Sequence, residues 1–254
     1  MRWIRLASHI HSSWSDDSAW TLPRLVVLLR RAGFHGALVC DHDRTMTDDR
    51  WKRVQQECAA VGRATGFLLV PGIEYQDPDH VTHIPVFGAA PFYGRSPDTS
   101  DLLRKAHGGG AATVFAHPGR LDAWRRFDPG WIPHLSGIEV WNRKYDGIAP
   151  NLWAVRTAAD HGLTSFVSLD FHGRRQLYPL AMRVQSETRM TSAHVVTALR
   201  NGECRASAFG LAPERIAHGV LGGAGRGSEA LRLLTAPILR RLGDALGGRC
   251  DDKV

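Results

Sequence analysis

Side chains able to bind transition metals recur along this chain at the ends of short apolar runs. His9-Ile10-His11 closes the first run, and Asp16 follows in the next loop. Asp41-His42-Asp43 closes the second, the third runs into Glu74, and the fourth begins at His83. His117 ends the fifth, Glu139 sits in the sixth, and Asp170-Phe171-His172 ends the seventh. A lone His-x-His carries little weight, because single histidines more often serve the surface or the core. Delivered by one run after another, mostly at the same end, they point to one shared cation cluster. His9, His11, Asp16, His42, Glu74, His83, His117, Asp170 and His172 make a nitrogen-rich donor set. Such a set suits Mn²⁺, Fe²⁺ or Zn²⁺ better than Mg²⁺ or Ca²⁺. Two or three divalent metal ions held together would acidify a bridging water and supply hydroxide near neutral pH.

The elements that must position these groups alternate in type. Candidate strands are Trp3–Ser8, Gly36–Cys40, Phe67–Gly72, Thr82–Phe87, Ala111–Ala116, Gly137–Trp141, Thr164–Leu169 and Ala181–Val184. Several are uniformly apolar, as strands covered on both faces are. Helical patterns lie between them at Leu22–Ala32, with Thr21 as N-cap, and at Asp48–Thr65, Thr99–His107, Pro150–His161 and Thr191–Asn201. Repeated strand–helix alternation implies a largely parallel sheet with enough units to close a barrel. In such a barrel, active sites form at the C-terminal rim of the strands. Within a strand, residues i and i+2 point to one side, so His9 and His11 can reach the same ion. Gly219–Gly227 is expected to be a flexible connector, followed by a helix over about 228–246 and a polar tail.

The bulk numbers exclude little. The chain has 254 residues, with a formal charge of +7 that suits an anionic ligand but is spread along the chain rather than massed in one block. No apolar run approaches the ~20 residues of a membrane span, and the first residues lack a signal-peptide core, so a cytoplasmic location and no membrane partner are expected. Cys40, Cys58, Cys204 and Cys250 are scattered, which argues against a disulfide framework or a thiolate zinc site.

The order and wording of the motifs resemble the PHP (polymerase and histidinol phosphatase) family. The likeness spans roughly residues 5–210. It rests on the His-x-His followed by Ser15-Asp16, on Asp41-His42-Asp43, on Gly72-Ile73-Glu74, on His83 before Ile84-Pro85-Val86-Phe87-Gly88, on Ala116-His117-Pro118, on Gly137-Ile138-Glu139-Val140, and on Asp170-x-His172. The resemblance implies an α/β fold, a distorted (β/α)7 barrel over 1–215, with 216–254 as connector, C-terminal helix and tail. It implies one metal at His9, His11, Asp170 and a bridging Glu74, a second at Glu74, His83 and His117, and a third at Asp16, His42 and His172. The bridging water would be held by Glu74, with His172 as candidate acid/base. Two wordings depart from the family: Asp17 stands where glycine is usual, which leaves Asp16 and Asp17 in competition, and Leu169-Asp170-Phe171-His172 replaces the usual Ser-Asp-Ala-His while keeping both ligands. His80 also competes with His83, and His83 is preferred because it starts the apolar strand.

The expected activity is metal-dependent hydrolysis of a phosphate mono- or diester, the substrate being a small phosphorylated metabolite, a nucleotide or an oligonucleotide end. Arg143 and Lys144, Arg120, and Arg174 lie just past the rim and are candidate phosphate contacts. Two other readings fit the same residues: an amidohydrolase-like enzyme acting on a carbonyl centre, and a non-catalytic, metal-stabilised domain that associates with nucleic acid. Against the former, Glu74 stands where such enzymes often use a modified lysine. Glu139 is either a group that orients a histidine or a salt-bridge partner.

Overall fold

The computed structural model describes residues 2–186, 190–220, 222–225 and 227–228. The chain runs β1 (Arg2–Ile10), α1 (Leu22–Arg31), β2 (Gly36–Val39), β3 (Asp41–His42), α2 (Asp48–Thr65), β4 (Leu68–Val70), β5 (Gly72–Gln76), β6 (His83–Phe87), α3 (Thr99–Gly108), β7 (Ala112–Phe115), β8 (Gly137–Asn142), α4 (Leu152–His161), β9 (Thr164–Ser168), β10 (Leu180–Ser186), α5 (Ser192–Arg200), β11 (Cys204–Ala208) and α6 (Pro213–His218). Strands pair in the orders β11-β10-β1-β2-β4 and β3-β5-β6-β7-β8-β9. The fold is mixed α/β.

The helices begin and end for local reasons. Thr47 caps α2 by accepting from the Arg50 amide, and Gly66 closes the helix in the left-handed region at φ 68°. Thr191 caps α5 in the same way, accepting from the His194 amide. Thr21 does stand at the N-cap of α1, but its side chain makes no capping bond; Pro23 in the first turn does more to start that helix. Leu22, Leu25, Val26 and Leu29 then bury one face of α1.

The sheet is less parallel than the alternation implied. β1–β2, β2–β4, β3–β5, β7–β8 and β8–β9 are parallel. β1–β10, β10–β11, β5–β6 and β6–β7 are antiparallel. Only six residues, 77–82, join β5 to β6, too few for a crossover, so the two strands form a hairpin. Proline explains another difference. The run expected as one strand over Phe67–Gly72 breaks at Pro71, which cannot donate to a ladder, and Gly72 restarts it as β5.

Close packing fixes the strand spacing. A Cβ on Gly36 would lie 2.6 Å from the Leu68 carbonyl oxygen, so β2 and β4 approach closely only because no side chain is there. Phe115, Phe166, Phe171, Leu6 and Ile10 are fully buried between the layers. Cys40, Cys58 and Cys204 are buried free thiols; Cys250 lies outside the described residues. Residues 222–225, expected as a flexible connector, are helical, and α6 runs across the domain boundary expected at 215/216. The expected helix over 228–246 lies almost wholly outside the described residues. Among the described residues no helix is long and apolar enough to cross a membrane.

Candidate metal centre

The end of β1 is stitched to the segment after β9. Leu169 donates to the Ser8 carbonyl, Phe171 to His9, and His11 to Phe171. Those bonds bring the two motifs that open and close the sequence pattern side by side. The backbone there is unusual. His9, His117 and Asp170 hold φ of 60°, 25° and 46°, in the left-handed region that non-glycine residues seldom occupy. Three strained positions at three candidate ligands are what a site held in place by its surroundings shows.

Strand alternation is therefore not what unites His9 and His11. The β1–β2 register shifts between Ala7 and Ile10, and His9 turns out of regular β geometry. The imidazoles nonetheless converge, with ring centroids 5.1 Å apart.

Glu74 lies at the centre of the cluster. Its carboxylate faces His83 Nδ1 at 2.8 Å, His42 Nδ1 at 3.0 Å, His117 Nε2 at 3.0 Å, His9 Nε2 at 3.2 Å and His11 Nε2 at 3.4 Å. Asp170 Oδ1 lies 3.6 Å from His11 Nε2, and Oδ2 lies 4.0 Å from His117 Nε2. On the outer side, Asp17 Oδ2 meets His42 Nε2 at 3.1 Å and His172 Nε2 at 3.0 Å. Asp16 points away: its carboxylate is 46% exposed and pairs with Arg44 at 2.7 Å. The competition between the two aspartates thus ends with Asp17 in the cluster and Asp16 outside it. His83 likewise takes its place beside Glu74, while His80 bonds to Gln76.

Donor atoms converge in four sets, each within 4.8 Å: His11, Asp17, His42 and His172; His9, His11 and Glu74; His9, His117 and Asp170; His42, Glu74 and His83. These differ from the implied grouping in pairing His117 with Asp170 and in bringing His42 to Glu74. Among the described residues, His35, His107, His134, His161, His194 and His218 join no such set.

The residues fit a metal cluster. His9 Nε2, His11 Nε2, His83 Nε2 and His117 Nδ1 are buried without a hydrogen-bond partner, a costly arrangement for polar nitrogens unless something else bonds them. Burial opposes ionisation of Glu74, yet the facing imidazoles of His9, His83 and His42 hold its carboxyl well below the usual range. Burial also drives His83 down to about 4 despite Glu74. At His42 the balance reverses: Glu74 and Asp17 outweigh burial and raise it to about 9.

Neighbouring groups hold these ligands in place. Glu139 faces His9 Nδ1 at 2.7 Å and accepts from the His117 amide at 2.8 Å, so it orients two histidines at once. Asn142 donates to Glu139 at 2.8 Å and to Asp170 at 3.2 Å. Asp41 accepts from the amide and hydroxyl of Ser12 and fastens the loop after β1; burial lifts its carboxyl to about 6 even so. Asp43 accepts from the Ser96 amide at 2.7 Å. Asn142 and Gln76 escaped the sequence reading, because a lone amide carries no signal of its own.

A cleft of about 110 Å³ opens over the cluster, and Arg44, Arg120, Lys144 and Tyr145 line it. Lys144 Nζ lies 3.4 Å from Asp170 Oδ1, and that carboxylate outweighs burial to keep the ammonium protonated. Arg120 donates to the His80 carbonyl at 2.7 Å and stands at the rim. Arg143 turns away and lies over the Tyr178 ring at 4.7 Å, because the chain leaves β8 at Asn142 and enters a turn that sends Arg143 and Lys144 in different directions. Arg174 lies over Trp20 instead of the cleft. Arg44, absent from the sequence candidates, joins the lining.

No protein-family model and no curated protein sequence matches the chain. Solved structures do match in fold. One is a two-domain protein from Bacteroides vulgatus containing a predicted PHP-like metal-dependent phosphoesterase, with TM-score 0.61, 20% identity and 82% of this chain covered. This chain spans 65% of that protein's length. A proposed metal-dependent phosphoesterase from Bifidobacterium adolescentis matches with TM-score 0.53 and 18% identity, over 76% of this chain and 96% of that one. An amidohydrolase from Chromobacterium violaceum with bound sulfate matches with TM-score 0.53 and 15% identity, over 82% and 98%. The chain therefore has the fold of PHP-like metal-dependent phosphoesterases.

Proposed function

We propose that the protein is a metal-dependent phosphoesterase that hydrolyses a phosphate ester on a small molecule or at a chain end. In this proposal the two sheets form one distorted barrel, closed where the end of β1 bonds the segment after β9. The observation that carries the activity is Glu74, whose carboxylate faces five imidazoles within 3.4 Å beneath a cationic cleft.

The ligands would be His9, His11, His42, Glu74, His83, His117, Asp170, His172 and, in place of Asp16, Asp17. Bound Mn²⁺, Fe²⁺ or Zn²⁺ would supply Lewis acidity and a nucleophile at neutral pH. Glu74, which belongs to two of the donor sets, would serve both, and its carboxylate would offset the positive charge gathered there. Lys144 and Arg120, with Arg44, neutralise the non-bridging oxygens of the phosphoryl group. Lys144 Nζ also holds a proton at the cleft wall for a leaving alkoxide. The role of acid or base passes from His172 to Lys144 for a geometric reason. His172 Nδ1 lies 2.9 Å from the Asp170 carbonyl and Nε2 lies 3.0 Å from Asp17 Oδ2, so both ring nitrogens are engaged among the candidate ligands, while Lys144 Nζ stands at the cleft wall.

Hydrolysis at a carbonyl centre is the other reading, favoured by the amidohydrolase of the same fold. The three cations lining the cleft support a phosphate instead, because a dianionic phosphoryl group gains more from them than a neutral carbonyl does. The test is phosphate release from a panel of monoesters, diesters and nucleotides after loading with Mn²⁺, Fe²⁺ and Zn²⁺ separately. Turnover of phosphate esters supports the reading, and turnover confined to esters or amides of carboxylic acids overturns it.

A further inference from the structure

At the far end of the fold from the metal centre lies a cavity of about 450 Å³, bounded by the start of β9, the antiparallel β10–β11 pair and the start of α6. Thr164 lines it, six residues before Asp170 on the same chain segment, so it lies roughly 20 Å from the ligands along β9. Its walls carry Arg183, Arg205, Ser165 and Ser207.

The pairing of the strands makes this wall unusual. Arg5 pairs with Arg183, and Arg183 with Arg205, so three arginines form one cross-strand row. Partners in such a row project to the same face with Cβ atoms roughly 5 Å apart, and like charges placed so repel. Among the described residues none of the three forms an ion pair with a carboxylate, although Glu214 borders the same cavity. The guanidiniums of Arg183 and Arg205 instead flank the ring of Trp3, at 5.0 and 5.3 Å. Arg183 Nε is buried with no hydrogen-bond partner. Among the described residues, two cations are thus held beside a cavity without an ion-pair partner.

We propose that this cavity is a second ligand site, taking the phosphate group of a small phosphorylated molecule. A dianionic, acceptor-rich group matches two guanidinium forks and the hydroxyls of Ser165 and Ser207. A phosphate alone underfills the space, which lies in the size range of small-molecule sites. Glu214 then accepts from a hydroxyl or amino group at the ligand's other end. The site is independent of the metal centre and of the activity assigned to it.

The test uses full-length protein treated with chelator, titrated with inorganic phosphate and with adenosine 5′-monophosphate by calorimetry at constant ionic strength. Wild type and Lys144→Gln, which alters only the metal cleft, should bind alike. Arg183→Gln/Arg205→Gln should lose about tenfold or more in affinity. Should that variant fail to fold by circular dichroism, Arg183→Lys/Arg205→Lys keeps the charge without the fork and should still weaken binding. Loss of binding in Lys144→Gln but not in the arginine variants overturns the proposal. So does phosphate binding no tighter than chloride.

Discussion

Asp17 Oδ2 lies 3.0 Å from His172 Nε2, joining groups 155 residues apart, while its neighbour Asp16 is tied to Arg44 outside the cluster. The two aspartates therefore separate in an experiment. Asp17→Asn should lower the divalent metal bound per chain, measured by plasma mass spectrometry after loading, whereas Asp16→Asn should leave it unchanged. Equal losses in both variants would count against this arrangement of the outer site.

Glu139 reaches both His9 and the His117 amide, so its effect on metal should be indirect but large. Glu139→Gln keeps the shape and removes the charge that orients His9. Metal affinity should fall by about 10–100-fold, read by competition with a chromogenic chelator. The melting temperature of the metal-free protein provides the control, and a collapse in it would assign Glu139 a purely structural role.

Metal binding should release protons in the pH range where enzymes are assayed. In the metal-free protein Asp17 and Glu74 raise His42 to about 9. Only the neutral imidazole coordinates, so below about 9 each ion that takes His42 must displace its proton. Affinity should accordingly rise as pH rises toward 9. Calorimetry at pH 7.5 in buffers of different ionisation heat should give different apparent enthalpies. Identical enthalpies in all buffers would show that no proton leaves.

Much of the site was legible because its chemistry repeats. His9, His42, His83, His117 and Asp170 fall at strand ends, and no core requirement places histidine there so regularly. What the sequence could not show was how the backbone brings them together. The turn at His9, with φ 60°, arises from bonds between β1 and the segment after β9, and those are long-range. Asp16 and Asp17 are adjacent and chemically alike, and Arg44 pairs with both, so what separates them is the long-range approach of His42 and His172 to Asp17 alone. The arginines past the rim were ambiguous for a similar reason: Arg143 and Lys144 are neighbours, and a single φ/ψ choice sends one to Tyr178 and the other to Asp170. The strand–helix alternation indicated the α/β class correctly. It overstated the parallel pairing, because loop length rather than strand composition sets direction at β5–β6.

Packing gives a further prediction. Gly36 admits no side chain beside the Leu68 carbonyl and the Leu6 side chain, which a Cβ would meet at 2.6 and 2.8 Å. Gly36→Ala should destabilise the protein by about 1–3 kcal/mol in urea denaturation through overpacking. A change below about 0.5 kcal/mol would mean that β2 and β4 separate more readily than the core suggests.

The central claim, that Glu74 joins the imidazoles into one multinuclear centre, is tested most directly by metal stoichiometry. Full-length wild type and Glu74→Ala would be loaded with Mn²⁺ or Zn²⁺, desalted and analysed for metal per chain. Wild type should retain more than one ion, and Glu74→Ala should lose most of them together. A wild type that retains none, or a variant that retains the full complement, would contradict it.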